Sequence, residues 1–143
     1  MMQRVIYFAT LFIISQTFTN CAKRGNPSGG NRDSIPPVII KINPENYHTN
    51  FNEKEIKIYF DEYVKLKDVN SQLIISPPLK NSPVITPLGS PSKKITIKLS
   101  DTLQENTTYT FNFAQSIIDN TEGNILDNFK YIFSTGEYID SLK

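Results

Sequence analysis

From Leu103 to Phe113 the chain reads LQENTTYTFNF, a polar turn that runs into a strict alternation of aromatic and polar residues. Tyr109, Phe111 and Phe113 fall on one side and Thr108, Thr110 and Asn112 on the other, the period of a strand with one buried face. Three aromatics on one strand face need a second layer to cover them. The chain must therefore build opposed sheets, and its other segments have to supply the partner.

They do so in short pieces. Val38 to Ile42 (VIIKI) lies between Pro36-Pro37 and Asn43-Pro44, so proline limits its pairing and marks a first strand at a sheet edge. Glu55 to Phe60 (EIKIYF) turns Ile56, Ile58 and Phe60 inward and Lys57 and Tyr59 outward. Gln72 to Ser76 (QLIIS) stops at Pro77-Pro78, with a weakly signalled helical turn before it at Lys65 to Ser71. Pro83 to Leu88 contains Pro87, which removes a ladder donor and confines the segment to an edge. Lys94 to Leu99 alternates Ile95, Ile97 and Leu99 against Lys94, Thr96 and Lys98, so its two lysines face water while three branched side chains enter the core. Phe129 to Phe133 closes the series with Phe129, Tyr131 and Phe133 on one face. About seven strands, spaced by turn chemistry every ten residues or so, predict an all-β, immunoglobulin-like β-sandwich over residues 38–137, with a short tail at 138–143.

The first residues have a different character. Arg4 precedes the apolar run Val5 to Ser15, and a polar stretch leads to Cys21. Eleven apolar residues match a signal-peptide core and fall short of the roughly 20 needed to span a bilayer, so residues 1–20 read as a signal segment. Residues 21–37 hold three of the six glycines and three of the nine prolines without apolar periodicity, and read as a flexible tether. Beyond Cys21 the chain carries equal numbers of acidic and basic side chains, which excludes the basic stripe of a nucleic-acid binder. Cys21 is the only cysteine, so neither an intrachain disulfide nor a cysteine metal cluster is possible.

Two resemblances follow from these residues. An unpaired cysteine directly behind a signal-like segment resembles the lipidation cysteine of bacterial lipoproteins, although Asn20 stands where that family usually carries a small residue. The resemblance implies that Cys21 becomes the acylated first residue of the mature chain, with several acyl chains such as palmitate anchoring it to a lipid bilayer. The domain resembles the bacterial Ig-like domains of the S-layer SbsA type. The matching pieces are Ile35-Pro36-Pro37, Asn43-Pro44, Ile56 to Glu62, Leu103-x-x-x-Thr107-x-Tyr109, Asp119-x-x-x-Gly123-Asn124 and Phe133-Ser134-Thr135-Gly136. Together they imply a lipoprotein of a Gram-negative cell envelope, held in the outer membrane and facing the periplasm or the surface, with a non-catalytic binding, adhesion or spacer module. The expected partners are the bilayer and an envelope protein or glycan, and the expected state is a monomer.

Few motifs bear on chemistry. Leu103, Thr107 and Tyr109 have the spacing of a tyrosine corner, in which the phenol bonds to upstream backbone and pins the crossover between sheets. Asp119, Asn120 and Glu122 are oxygen-rich enough to be calcium candidates, the one cofactor the sequence suggests, yet the same residues suit a tight turn. A calcium or carbohydrate site at the Asp119 to Asn124 loop is thus the alternative function. Asp61 and Glu62 are adjacent, so a strand turns them to opposite faces and gives no paired acid and base. His48 is the sole histidine, and no nucleophile triad assembles around it. Ser34, Thr102 and Ser141 each follow an aspartate and precede an aliphatic residue, a pattern that resembles the O-glycosylation sequon of some envelope proteins. Outward Tyr59 and the loop aromatics Tyr47, Phe51 and Tyr63 are candidates for a carbohydrate or protein contact surface.

Overall fold

The computed structural model describes residues 30–140, together with Gln3. The signal segment, Cys21 and Ser141 lie outside the described residues. In chain order the elements are β1 (Ile39–Asn43), β2 (Glu55–Leu66), the one-turn helix α1 (Val69–Gln72), β3 (Ile74–Ser76), β4 (Val84–Thr86), β5 (Ser92–Lys98), β6 (Thr108–Asn112), β7 (Ile117–Asp119) and β8 (Lys130–Ser134). They form two sheets. One has the order β1-β2-β5-β4 with β7 also paired to β2, and the other the order β3-β6-β8. All the pairings are antiparallel.

Long, alternating β2 organises the larger sheet. Its first half runs between β1 and β5, matching Ile58 to Ile42 on one side and to Ile95 on the other. The ladder to β5 is interrupted between Tyr59 and Val64, and past that break β7 takes the place of β1, with Val64 opposite Asp119. A break of this kind bends a strand and lets it serve two neighbours in turn. β1 and β4 are the edges, as the flanking prolines and Pro87 require.

The inner faces differ in chemistry. The larger sheet contributes mainly isoleucine: Ile56, Ile58, Ile95 and Ile97 are at most 1% exposed. The smaller sheet contributes Tyr109 and Phe111 from β6, and Tyr131 and Phe133 from β8. Phe133 is the hub, with ring centroids 4.0 Å from Phe51, 5.4 Å from Tyr109, 5.9 Å from Phe111 and 5.8 Å from Tyr131. Each fully buried side chain of this size contributes on the order of 1.5–3 kcal/mol of hydrophobic free energy. Truncating a phenylalanine in such a cluster costs about 3–5 kcal/mol. β6 thus places its alternating sets as the sequence requires.

Several expectations need correction. There are eight strands among the described residues, because Ile117–Asp119 pairs with the second half of β2. β2 continues through Asp61 and Glu62 to Leu66, where a strand ending at Phe60 was expected. Gln72 closes α1, and β3 keeps only Ile74–Ser76. Thr96, which alternates with the inward isoleucines of β5, is nonetheless only 7% exposed, because β5 is an interior strand and Thr96 lies between Lys57 of β2 and Thr86 of β4 in the ladder. Phe51, expected on a contact surface, is 4% exposed and packs on Phe133.

Candidate functional site

Three regions hold the residues singled out by the sequence. The first is the turn after β7. Asp119 ends that strand, is 1% exposed, and points its carboxylate into its own loop. Oδ1 accepts from the amides of Thr121 (2.6 Å), Glu122 (2.7 Å) and Gly123 (3.1 Å), and Oδ2 from that of Asn124 (2.8 Å). Gly123 adopts a φ of 81°, which lets the loop curl back over the carboxylate. Burial pushes the Asp119 carboxyl up, but the amides of Asn124, Gly123, Glu122 and Thr121 outweigh it and hold the group below the usual carboxylate range.

The same loop holds the segment that precedes β1. Asn124 Nδ2 donates to the carbonyls of Asp33 (3.2 Å) and Ile35 (3.1 Å), and an Arg32 guanidinium nitrogen donates to the Glu122 carbonyl at 2.8 Å. Pro37 is buried, and the Val38 amide donates to Asp61 Oδ1 at 2.9 Å. Residues 32–37, which the sequence assigned to the tether, are therefore fastened to the sandwich. Glu62 sits in this neighbourhood with its carboxyl raised, first by desolvation and then by the charges of Asp119, Asp61, Asp33 and Glu122. These carboxylates do not converge as ligands: among the described residues no group of three or more His, Cys, Asp or Glu side chains is placed to hold a metal ion. Of the calcium candidates, Asp119 spends both oxygens on amides, while Asn120 uses its own amide to donate to the Tyr63 carbonyl at 2.8 Å.

The second region is the turn before β6. Tyr109 is 2% exposed, and its Oη accepts from the Gln104 amide at 3.0 Å. Thr107 Oγ1 donates to the Glu105 carbonyl at 2.8 Å, and Leu103 packs half-buried against the core. Thr135, just past β8, donates its hydroxyl to the Gln104 carbonyl at 2.7 Å and accepts from the Thr107 amide at 3.0 Å. Gly136 follows directly, where an added Cβ would stand 3.0 Å from Asn106 Oδ1 and 3.1 Å from Asn106 Cα. Beside this turn a cleft of about 480 Å³ is lined mostly by polar residues, among them Asn52, Glu53 and Thr102. Asp101 is engaged there by Asn81, whose amide donates to Oδ2 at 2.6 Å, and that backbone bond leads the lowering of its carboxyl below the ordinary range.

The third region is the outward face of β3-β6-β8, of which sequence reasoning singled out only Tyr47. A trough of about 600 Å³ lies on it, lined also by Tyr47, Ile139 and Asp140. Its signal was present in the sequence as the polar half of the alternation that opens β6: Thr108, Thr110 and Asn112.

The remaining candidates are scattered. His48 is exposed and acts through its backbone, its carbonyl accepting from the Ser134 amide at 2.8 Å. Asp61 and Glu62 occupy successive positions of β2. Tyr63 lies beneath Lys93, whose Nζ is 5.5 Å from the ring centroid. Ser34 and Thr102 are exposed on loops. Tyr131 is buried within the aromatic cluster and donates to the Pro44 carbonyl at 3.1 Å, and burial pushes its phenol well above the ordinary tyrosine value. No buried side-chain polar atom lacks a hydrogen-bond partner among the described residues.

Two antiparallel sheets packed over an aliphatic and aromatic core, with loops stabilised from within, define an immunoglobulin-like β-sandwich. The family model described as a bacterial Ig-like domain matches residues 33–135, and the chain belongs to that family. No curated protein matches it.

Proposed function

We propose that the protein is an envelope lipoprotein in which acylated Cys21 anchors a non-catalytic Ig-like module of the S-layer type, serving as a binding, adhesion or spacer element. The observation that carries this reading is the join between a signal-like segment ending at Cys21 and a bacterial Ig-like domain matched over residues 33–135. The domain supports the non-catalytic part. Its one histidine is used through its backbone, and its most shielded carboxylate is occupied by loop amides. No helix among the described residues is long and apolar enough to cross a membrane. Exposed Ser34 and Thr102 are accessible to O-glycosylation, which intact-mass measurement on native material detects.

Fractionation of cells carrying the wild-type and Cys21→Ser forms tests the anchor. The wild type is expected in the membrane fraction and labelled by a palmitate analogue, and the variant soluble and unlabelled. A Cys21→Ser form that stays in the membrane fraction overturns the lipoprotein reading.

A further inference from the structure

The outward side chains of the two sheets are unlike. On the larger sheet Glu55, Lys57, Lys94 and Lys98 supply charge, and Glu55 pairs with Lys57 at 3.2 Å. On the smaller sheet the outward positions are Ile74 and Ser76 of β3, the β6 set opened by Thr108, and Lys130 and Ile132 of β8, and Lys130 is the single charge. Ordinary solvated sheet faces are charged, and loss of charge with aliphatic and aromatic residues in its place marks a recognition surface. The face is also shaped, since Tyr47, 62% exposed, and the Ile139-Asp140 segment line the trough together with the strands. Asp140 is held in place by its amide, which donates to Thr108 Oγ1 at 2.9 Å.

The size of the trough and its chemistry select the occupant. A volume of about 600 Å³ is in the range that holds one small ligand. A stable pairing with another protein needs roughly 800 Å² per partner, more than a three-stranded face of this width presents. An extended peptide would bind by adding to an open edge, but the edge of β8 is taken. Tyr47 donates its amide to the Ile132 carbonyl at 2.7 Å, and Phe51 donates its own to the Ser134 carbonyl at 2.9 Å. At the other edge β3 offers only three residues. What the trough does offer is side-chain hydroxyl and amide groups. Across the ladder Ser76 stands opposite Thr110 and Ile74 opposite Asn112. Asn112 Oδ1 accepts from the Ala114 amide at 2.9 Å, leaving its Nδ2 and the Ser76 and Thr110 hydroxyls without a partner among the described residues. Hydroxyls both donate and accept, which suits a polyol, and an exposed aromatic wall suits the apolar face of a sugar ring. Lys130 and Asp140 balance each other in charge, so the trough selects no net charge in its ligand.

We propose that the outward face of β3-β6-β8 is a carbohydrate-binding trough for a neutral sugar unit, with Tyr47 as the stacking wall and Ser76, Thr110 and Asn112 as the hydroxyl readers. The site is distinct from the Asp119 to Asn124 loop and does not depend on acylation of Cys21.

Titration of the isotope-labelled full chain with maltose, cellobiose, lactose and N,N′-diacetylchitobiose, followed by amide chemical shifts, tests the site. At least one sugar is expected to shift the amides of Ser76, Thr110 and Ile132 saturably, with an affinity near millimolar. Thr110→Val, which keeps shape and removes the hydroxyl, is expected to weaken that binding about tenfold with an unchanged melting temperature, and Tyr47→Ala at least as much. Absence of shifts at these strands for every sugar in the panel overturns the proposal. So does equal affinity in both variants, and so do shifts that track protein concentration without sugar, which would assign the face to a second copy of the chain.

Discussion

The Tyr109 phenol oxygen accepts the Gln104 amide at 3.0 Å, closing a loop of five residues between the end of one sheet's hairpin and the start of the other sheet's central strand. The bond ties the direction of β6 to the turn that delivers it. Tyr109→Phe removes the acceptor while leaving the ring in the core, so the Gln104 amide loses its partner in a partly buried place. The expected loss is about 1–2 kcal/mol of unfolding free energy by urea denaturation. Unchanged stability would show that the bond is incidental and that packing alone fixes the crossover.

Asp119 makes a prediction about acid. Its folded carboxyl lies below the ordinary value of 3.8, so the charged form is favoured by folding. Its contribution is present in full above the unfolded value and is lost as pH falls through the folded one. Asp119→Asn is expected to lower stability at neutral pH by roughly 2–3 kcal/mol, because an amide nitrogen replaces one of the accepting oxygens among four donors. The variant should also lose less additional stability than the wild type between about pH 4 and pH 2. Parallel pH profiles for the two proteins would remove Asp119 from the acid response.

At Gly136 the constraint is space. A methyl group would approach both the backbone and the side chain of Asn106 at or near 3.0 Å, and Asn106 is itself held at a φ of 47°. Gly136→Ala is therefore expected to cost about 1–3 kcal/mol by overpacking. Hydrogen exchange localises the effect, with faster exchange expected at Thr107 and Thr135. A melting temperature equal to wild type would mean that the turn yields freely.

Asn124→Ala removes both side-chain bonds to Asp33 and Ile35. Cleavage by trypsin after Arg32 is expected to accelerate severalfold, with a stability loss of only about 0.5–1.5 kcal/mol. An unaltered cleavage rate would mean that Pro37 and the Val38 bond hold the segment without help from the loop.

How far the sequence carried the fold depended on how many successive residues shared one environment. β6 was legible because it alternates through its whole length between core and outward face, and β5 because Ile95 and Ile97 stand between outward lysines. β7 was not, since Ile117, Ile118 and Asp119 give three residues of a strand with no alternation, and only its pairing with Val64 to Leu66 makes it one. The second half of β2 was hidden in the same way: Asp61 and Glu62 look like a strand's exit, and the break in the β5 ladder that accommodates them is a tertiary feature. Asp119 was legible as turn chemistry, but that its carboxylate faces inward to four amides is set by the curl of the loop. The trough was missed because outward threonines look like ordinary solvent positions until Tyr47 and Ile139, distant in sequence, are placed beside them.

The attachment of residues 32–37 to the loop after β7 also has a mechanical meaning. Load arriving from the N-terminal side of the chain reaches the Asn124 and Arg32 bonds before it reaches the ladder between β1 and β2. These few side-chain bonds are weaker than the ladder and give way first. Their rupture pays out six residues, up to about 20 Å of extended chain, with the sandwich intact. A pull from that side would thus lengthen the segment before it disturbed the sandwich.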